Sequence, residues 1–204
     1  EGLMEDWPIS EDGWVRIPEY LENYGELFFK LLVNLPEGAQ VKPELKQFTG
    51  LDLADNQISD LNFLSGLHQL TRLYLTDNKI SDLTPLAELK ELKGLYLAFN
   101  RITDLTPLAE LTKLESLVLG EFRTKKKDPE NPWSGTYRVP ETNYISNLKP
   151  LTGLNNLKYL WIYRLYERVT PKAEIAMLAE ALPQCSIVQE PTDHQLHVEM
   201  MQED

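Results

Sequence analysis

Residues 70–89 read Leu70-Thr71-Arg72-Leu73-Tyr74-Leu75-Thr76-Asp77-Asn78-Lys79-Ile80-Ser81-Asp82-Leu83-Thr84-Pro85-Leu86-Ala87-Glu88-Leu89, and residues 92–111 carry the same pattern from Leu92 through Asn100, Ile102 and Pro107 to Leu111. The step from Leu70 to Leu92 is 22 residues, and it extends in both directions. Phe48, Leu70, Leu92 and Leu114 share it, as do Leu51, Leu73, Leu95 and Leu117, and then Leu53, Leu75, Leu97 and Leu119. Asn56, Asn78 and Asn100 keep the register, followed by Ile58, Ile80 and Ile102. Chance does not align so many apolar positions with one polar one.

A repeat of this length built on Leu-x-x-Leu-x-Leu-x-x-Asn is the signature of leucine-rich repeats. In each copy two leucines alternate with polar neighbours, as a short strand requires when one face is buried. One copy cannot bury that face alone, so neighbouring copies must stack. The asparagine falls where the chain leaves the strand, and its amide is suited to satisfy buried backbone groups there. Thr84-Pro85-Leu86 and Thr106-Pro107-Leu108 contain a proline and too few residues for a full helix, which predicts a tight or 3₁₀ turn. The expected fold class is α/β, a short right-handed leucine-rich-repeat solenoid with parallel strands on its concave face.

The fourth copy departs from the schedule. Leu114 to Leu119 is regular, but Phe122 stands where asparagine is expected, and the pattern resumes at Asn143, an offset of 143 minus 122, or 21 residues. The inserted residues, near 121–142, hold Lys125-Lys126-Lys127, Asp128-Pro129, Pro132-Trp133 and Ser134-Gly135 and read as a protruding loop or small hairpin. Leu157, Leu160 and Ile162 open a last unit in which Leu165 replaces the asparagine. The implied organisation is an N-terminal arm and helical cap over 1–47, repeats over 48–166, a C-terminal helix and strand cap over 167–189, and an acidic flexible tail over 190–204. Tyr20, Tyr24, Leu27, Phe28, Leu31 and Leu32 supply the first cap's helical face. For the second, Thr170 is the expected N-cap, Pro171 the first helical residue, and Ile175, Leu178, Ala179 and Leu182 the apolar face, with a strand within Cys185–Val188.

Composition narrows the partners. With 32 acidic and 20 basic residues the net charge is −12, which opposes binding to nucleic acid and to anionic membrane surfaces. No apolar run is long enough to span a bilayer, so no direct membrane insertion is expected of this chain. The single cysteine, Cys185, excludes an internal disulfide and reads as a small core residue. The chain begins at Glu1, and a leader or anchor removed ahead of it would leave no trace.

Asn-x-Ile-Ser/Thr-Asp-Leu-Thr-Pro-Leu-Ala-Glu-Leu, at Asn78–Leu89 and Asn100–Leu111, resembles the 22-residue repeat of the bacterial internalins. The resemblance covers Phe48 to about Tyr163. Val41-Lys42-Pro43-Glu44-Leu45 is similar to part of their N-terminal cap, and Leu182-Pro183-Gln184-Cys185-Ser186-Ile187 is similar to a closing segment of related bacterial repeat proteins. The long insertion and the small number of repeats are departures. The resemblance implies a secreted or cell-surface protein that binds a protein or glycan through its concave strand face.

The residues of that face follow from strand alternation. The position between and after the leucines reads Asp52, Tyr74, Tyr96, Val118 and Trp161, with Arg72, Phe99, Tyr159, Tyr163 and Arg164 beside it and Asp55 and Asp77 in the first two units. This predicts an exposed aromatic column, made of residue types that dominate interface hot spots. On this reading Tyr96→Ala or Trp161→Ala weakens capture of a partner and leaves thermal stability nearly unchanged. Lys125, Lys126, Lys127, Trp133 and Tyr137 of the insertion are further candidate contacts. No phosphate loop, dinucleotide fingerprint or nucleophile elbow is present, so neither catalysis nor a cofactor is expected. His194 and His197 in the tail lack the ligand count of a metal site, and none is expected. The competing classes are an intracellular leucine-rich-repeat regulatory scaffold and an enzyme accessory domain.

Overall fold

Each Leu-x-Leu core folds as a short strand, and the strands lie side by side in chain order. In a computed structural model, which describes residues 14–15, 49–120, 143–163, 165 and 170–189, seven strands form one sheet: β1 (Trp14–Val15), β2 (Gly50–Asp52), β3 (Arg72–Tyr74), β4 (Gly94–Tyr96), β5 (Ser116–Val118), β6 (Tyr159–Trp161) and β7 (Ser186–Val188). All six pairings are parallel. The register aligns Leu51, Leu73, Leu95, Leu117, Leu160 and Ile187 in one file. The five leucines of that file are fully buried. Two residues on, Leu53, Leu75, Leu97 and Leu119 donate their amides to the carbonyls of Tyr74, Tyr96, Val118 and Trp161 at 2.7–2.9 Å, which extends the ladder beyond the strands. This is a short leucine-rich-repeat solenoid.

The asparagines close the coils. Asn78 accepts the Ile58 amide at 2.8 Å and donates to the Leu53 carbonyl of the preceding coil at 2.9 Å and to its own Leu75 carbonyl at 3.0 Å. Asn100 repeats this with Ile80, Leu75 and Leu97, and Asn143 with Ile102, Leu97 and Leu119. All three are buried, so each amide satisfies backbone groups that have no access to water. Ile58 and Ile80 reach their asparagine across 20 positions and Ile102 across 41, a difference of 21. The insertion therefore enters within the fourth coil, between Leu119 and Asn143, and leaves that coil stacked in register on the third.

On the return side the proline motif makes 3₁₀ turns at Thr84–Glu88, Thr106–Leu108 and Lys149–Leu151, with a proline-free one at Asn62–Leu64. Asp60, Asp82, Asp104 and Asn147 each accept the amide two residues ahead at 2.8–2.9 Å, giving the turn its first hydrogen bond. Hydrogen bonds from Thr84 and Thr106, side chain first and then amide, hold the Asp82 and Asp104 carboxyls below their ordinary range. These contacts persist through neutral pH and are lost only as acid protonates the carboxylates. Leu64, Leu86, Leu108 and Leu151 of these turns complete the core.

Two expectations about the ends change. β1 pairs with β2, Trp14 opposite Gly50, so a strand precedes the repeats where only an arm and a helix were expected. Its distance from Gly50, 36 residues, is off the 22-residue period, and repeat alignment therefore misses it. The expected cap helix near Tyr20–Leu32 lies outside the described residues, as does the tail. At the other end α1 (Lys172–Ala181) begins behind Pro171, which holds the extended N-cap position without a side-chain cap. Thr170 is not the cap. It is buried, and its hydroxyl donates to the Ile145 carbonyl, taking the place of the backbone amides that Lys79, Arg101 and Tyr144 give to the Ile58, Ile80 and Ile102 carbonyls. Ile175, Leu178 and Leu182 pack on the core, whereas Ala179 is exposed. The Glu174 carboxylate accepts the Leu148 amide at 2.9 Å, tying α1 to the repeats.

Gly120 leaves β5 with its amide on the Trp161 carbonyl at 3.0 Å. A Cβ there would stand 2.4 Å from the Tyr163 carbonyl oxygen and 2.5 Å from its nitrogen, inside backbone that cannot step aside. Gly120→Ala should therefore destabilise the chain by about 1–3 kcal/mol and lower the melting temperature by roughly 3–10 °C. A melting curve superimposable on wild type would contradict this close approach.

Candidate functional site

Strand alternation that buries the leucines turns the first and third residue of each strand to the other face. Along β2 to β4 these are Gly50 and Asp52, Arg72 and Tyr74, and Gly94 and Tyr96, followed beyond the strands by Asp55 and Asp77. Tyr74 and Tyr96 are register partners, and their rings stack with centroids 4.1 Å apart and planes 12° from parallel. Gly94 makes room for this pair, since a Cβ at that position would meet Cε2 of Tyr96 at 3.3 Å and Cγ of Arg72 at 3.6 Å. Both tyrosines are half-buried, Asp52 is half-buried, and Arg72 and Asp55 are exposed. A rigid aromatic pair with polar hydroxyls and neighbouring charges offers apolar contact and hydrogen bonding in one patch.

Further along the sheet the expectation of exposure fails. Phe99, Val118 and Trp161 are 7%, 6% and 1% exposed, and together with Ala98 and Val188 they form a second apolar cluster apart from the leucine core. Tyr96, Tyr159 and Tyr163 are half-buried against it. Trp161 and Val118 are thus packing residues, and the aromatic column is open only in part. Phe99 adopts a left-handed backbone, φ 55°, at the position that Asp55 and Asp77 occupy with φ 58° and 56°. Aspartate tolerates that conformation, while a bulky aromatic residue rarely adopts it. The cluster gained by the Phe99 ring offsets the strain. Ala98 and Val188 escaped the sequence reading, although the appearance of phenylalanine in an aspartate file was a visible signal that this end of the face is apolar. Arg164, Lys125, Lys126, Lys127, Trp133 and Tyr137 lie outside the described residues.

Among the described residues no group of three or more His, Cys, Asp or Glu side chains could hold a metal, and His68 is exposed with Nδ1 3.3 Å from the Glu88 carbonyl oxygen. His194 and His197 lie outside the described residues. Burial pushes the Cys185 thiol up to about 11, so at neutral pH it is a protonated packing group beside the core. No helix among the described residues is long and apolar enough to cross a membrane.

Comparison with known proteins agrees with the geometry. A family model for leucine-rich repeats, in two copies, matches residues 49–88. Among solved structures, an internalin C2 of Listeria monocytogenes is 30% identical over 71% of this chain and 53% of its own, with a TM-score of 0.49. A leucine-rich-repeat protein of Leptospira interrogans is 24% identical over 85% of this chain and 34% of its own, with a TM-score of 0.52. A second Listeria monocytogenes internalin is 24% identical over 87% of this chain and 59% of its own, with a TM-score of 0.45. The chain spans less than two thirds of each of these proteins, and no curated protein sequence matches it. Fold and repeats together define a leucine-rich-repeat protein, a class whose scaffold is typical of protein-binding modules. Its Asn-x-Ile-Ser/Thr-Asp-Leu-Thr-Pro-Leu repeats are internalin-like.

Proposed function

We propose that this chain is a binding module, acting on or outside a bacterial cell, that captures a protein or glycan on its concave strand face and catalyses no reaction of its own. The observation that carries the reading is the Tyr74–Tyr96 stack, held at fixed geometry on adjacent strands of a sheet whose other face is committed to the core. A stack fixed by the scaffold has little side-chain freedom left to lose on binding, which is the property that makes aromatic residues effective anchors. The internalin-like repeats, and their occurrence in Listeria proteins, support the bacterial setting.

Tyr96→Ala tests it. Wild type and variant are used as baits for host cell-surface extract and for a glycan array, and the same captured species is quantified with both. Loss of the anchor should weaken capture at least about tenfold. Stability should fall by only about 1 kcal/mol, the order of an aromatic pair. Undiminished capture by Tyr96→Ala would move the site off this face.

A further inference from the structure

We propose that the N-terminal half of the strand face receives a protein partner through a cationic segment, an arginine or lysine side chain lying against the Tyr74–Tyr96 stack with Asp52, Asp55 and Asp77 around it. This rests on the strand-face reading above and specifies the partner's chemistry. The two halves of the face differ in kind. From β5 onward the third strand positions, Val118, Trp161 and Val188, are apolar and buried, and the first positions, Ser116, Tyr159 and Ser186, carry no charge. Along β2 to β4 and the three residues that follow each strand, the charged residues are the carboxylates Asp52, Asp55 and Asp77 and one guanidinium, Arg72, with Lys79 and Arg101 two positions further on.

Parallel pairing places Asp52 directly beside Tyr74 on the neighbouring strand, a spacing of roughly 5 Å. Asp55 and Asp77 sit on the adjoining turns, held by amide hydrogen bonds to the Thr76 carbonyl at 2.9 Å and the Ala98 carbonyl at 3.0 Å. An aromatic face attracts a cation through its quadrupole, and nearby carboxylates add a field of the same sign. The whole chain, at net −12, steers a basic segment toward it and repels an acidic one. Guanidinium groups suit the site best, because their planes stack on a tyrosine ring while their edges donate to carboxylates.

The test uses the full chain and fluorescence anisotropy with a peptide of Gly-Arg-Ser repeats, a matched peptide of Gly-Glu-Ser repeats, and maltoheptaose as a neutral competitor. The triple variant Asp52→Asn, Asp55→Asn, Asp77→Asn keeps the fold, since asparagine tolerates the left-handed turn positions and retains the oxygen that accepts the Ala54 amide from Asp52 at 3.0 Å. Its control is Glu88→Gln, Glu110→Gln, Glu180→Gln, an equal charge change at exposed positions away from the face. The arginine peptide should bind and the glutamate peptide should not. The aspartate triple and Tyr96→Ala should each weaken binding at least about tenfold, and the control triple by less than about twofold at moderate salt. Equal weakening by both triples would reduce the effect to diffuse charge and overturn the proposal. Tyr96-dependent displacement by maltoheptaose without peptide binding would also overturn it while leaving the strand-face reading in place. If neither peptide, sugar nor captured partner responds to Tyr96→Ala, both readings fall.

Discussion

Asn100→Ala should be among the most damaging single changes in the protein. Its side chain donates to the Leu75, Leu97 and Ala98 carbonyls at 2.9, 3.1 and 3.2 Å and accepts the Ile80 amide at 3.0 Å, all in the fully buried interior of the array. Alanine leaves the Ile80 amide without its acceptor, and a buried orphan costs about 1–3 kcal/mol. The Leu75, Leu97 and Ala98 carbonyls keep the Asn78 side chain, the Asn143 side chain and the Asp77 amide as donors but each lose one hydrogen bond. One orphaned amide and three weakened carbonyls share one site and do not add fully, so the expected loss is about 3–5 kcal/mol, a large fraction of the stability of any domain. Urea titration should show the midpoint falling with the slope retained, while Asn62→Ala, at an exposed position, shifts it by less than about 0.5 kcal/mol. Comparable midpoints for the two variants would mean that the amide ladder does not hold the coils together.

Trp161→Ala comes second, and here the expected outcome reverses the one read from sequence. The indole is 1% exposed and packed with Phe99, Val118 and Val188, so its removal opens a cavity in the second cluster. Truncating a buried aromatic side chain costs about 3–5 kcal/mol, or roughly 10 °C in melting temperature for a chain of this size. Trp161→Phe, which refills most of the space, should recover about half of that loss. A melting temperature unchanged by Trp161→Ala would return the indole to the exposed column.

The contrast between these two residues shows what the sequence made legible. Periodicity located Asn100, its neighbours and its hydrogen-bonding task, because in a stacked array position within the repeat determines environment. The same reasoning put Leu53, Leu75 and Leu97 in one file, the proline turns on the return side, and the 21-residue insertion inside the fourth coil. Alternation also turned Trp161 away from the leucine core, and correctly so. Direction alone, however, does not reveal whether a side chain meets water or other side chains. β1 was missed and Thr170 misassigned as a helix cap for a related reason, since both lie off the period and their roles are set by packing neighbours and not by position in a repeat. Within the site, pairing of Tyr74 with Tyr96 was implicit in their 22-residue spacing, whereas the parallel stacking of their rings depended on the absence of a side chain at Gly94.

The asparagine file has a direction. The amide of Asn78 finishes the coil before it, Asn100 finishes the next, and Asn143 the one after, while in the following coil the Ile145 carbonyl receives the Thr170 hydroxyl in place of a backbone amide. An interior unit thus arrives with the group its predecessor needs and presents the same need to its successor. Genetic duplication or loss of a whole unit leaves every interior requirement met, so arrays of this kind can change length in a single step, and with it the reach of the surface they offer, without any compensating substitution.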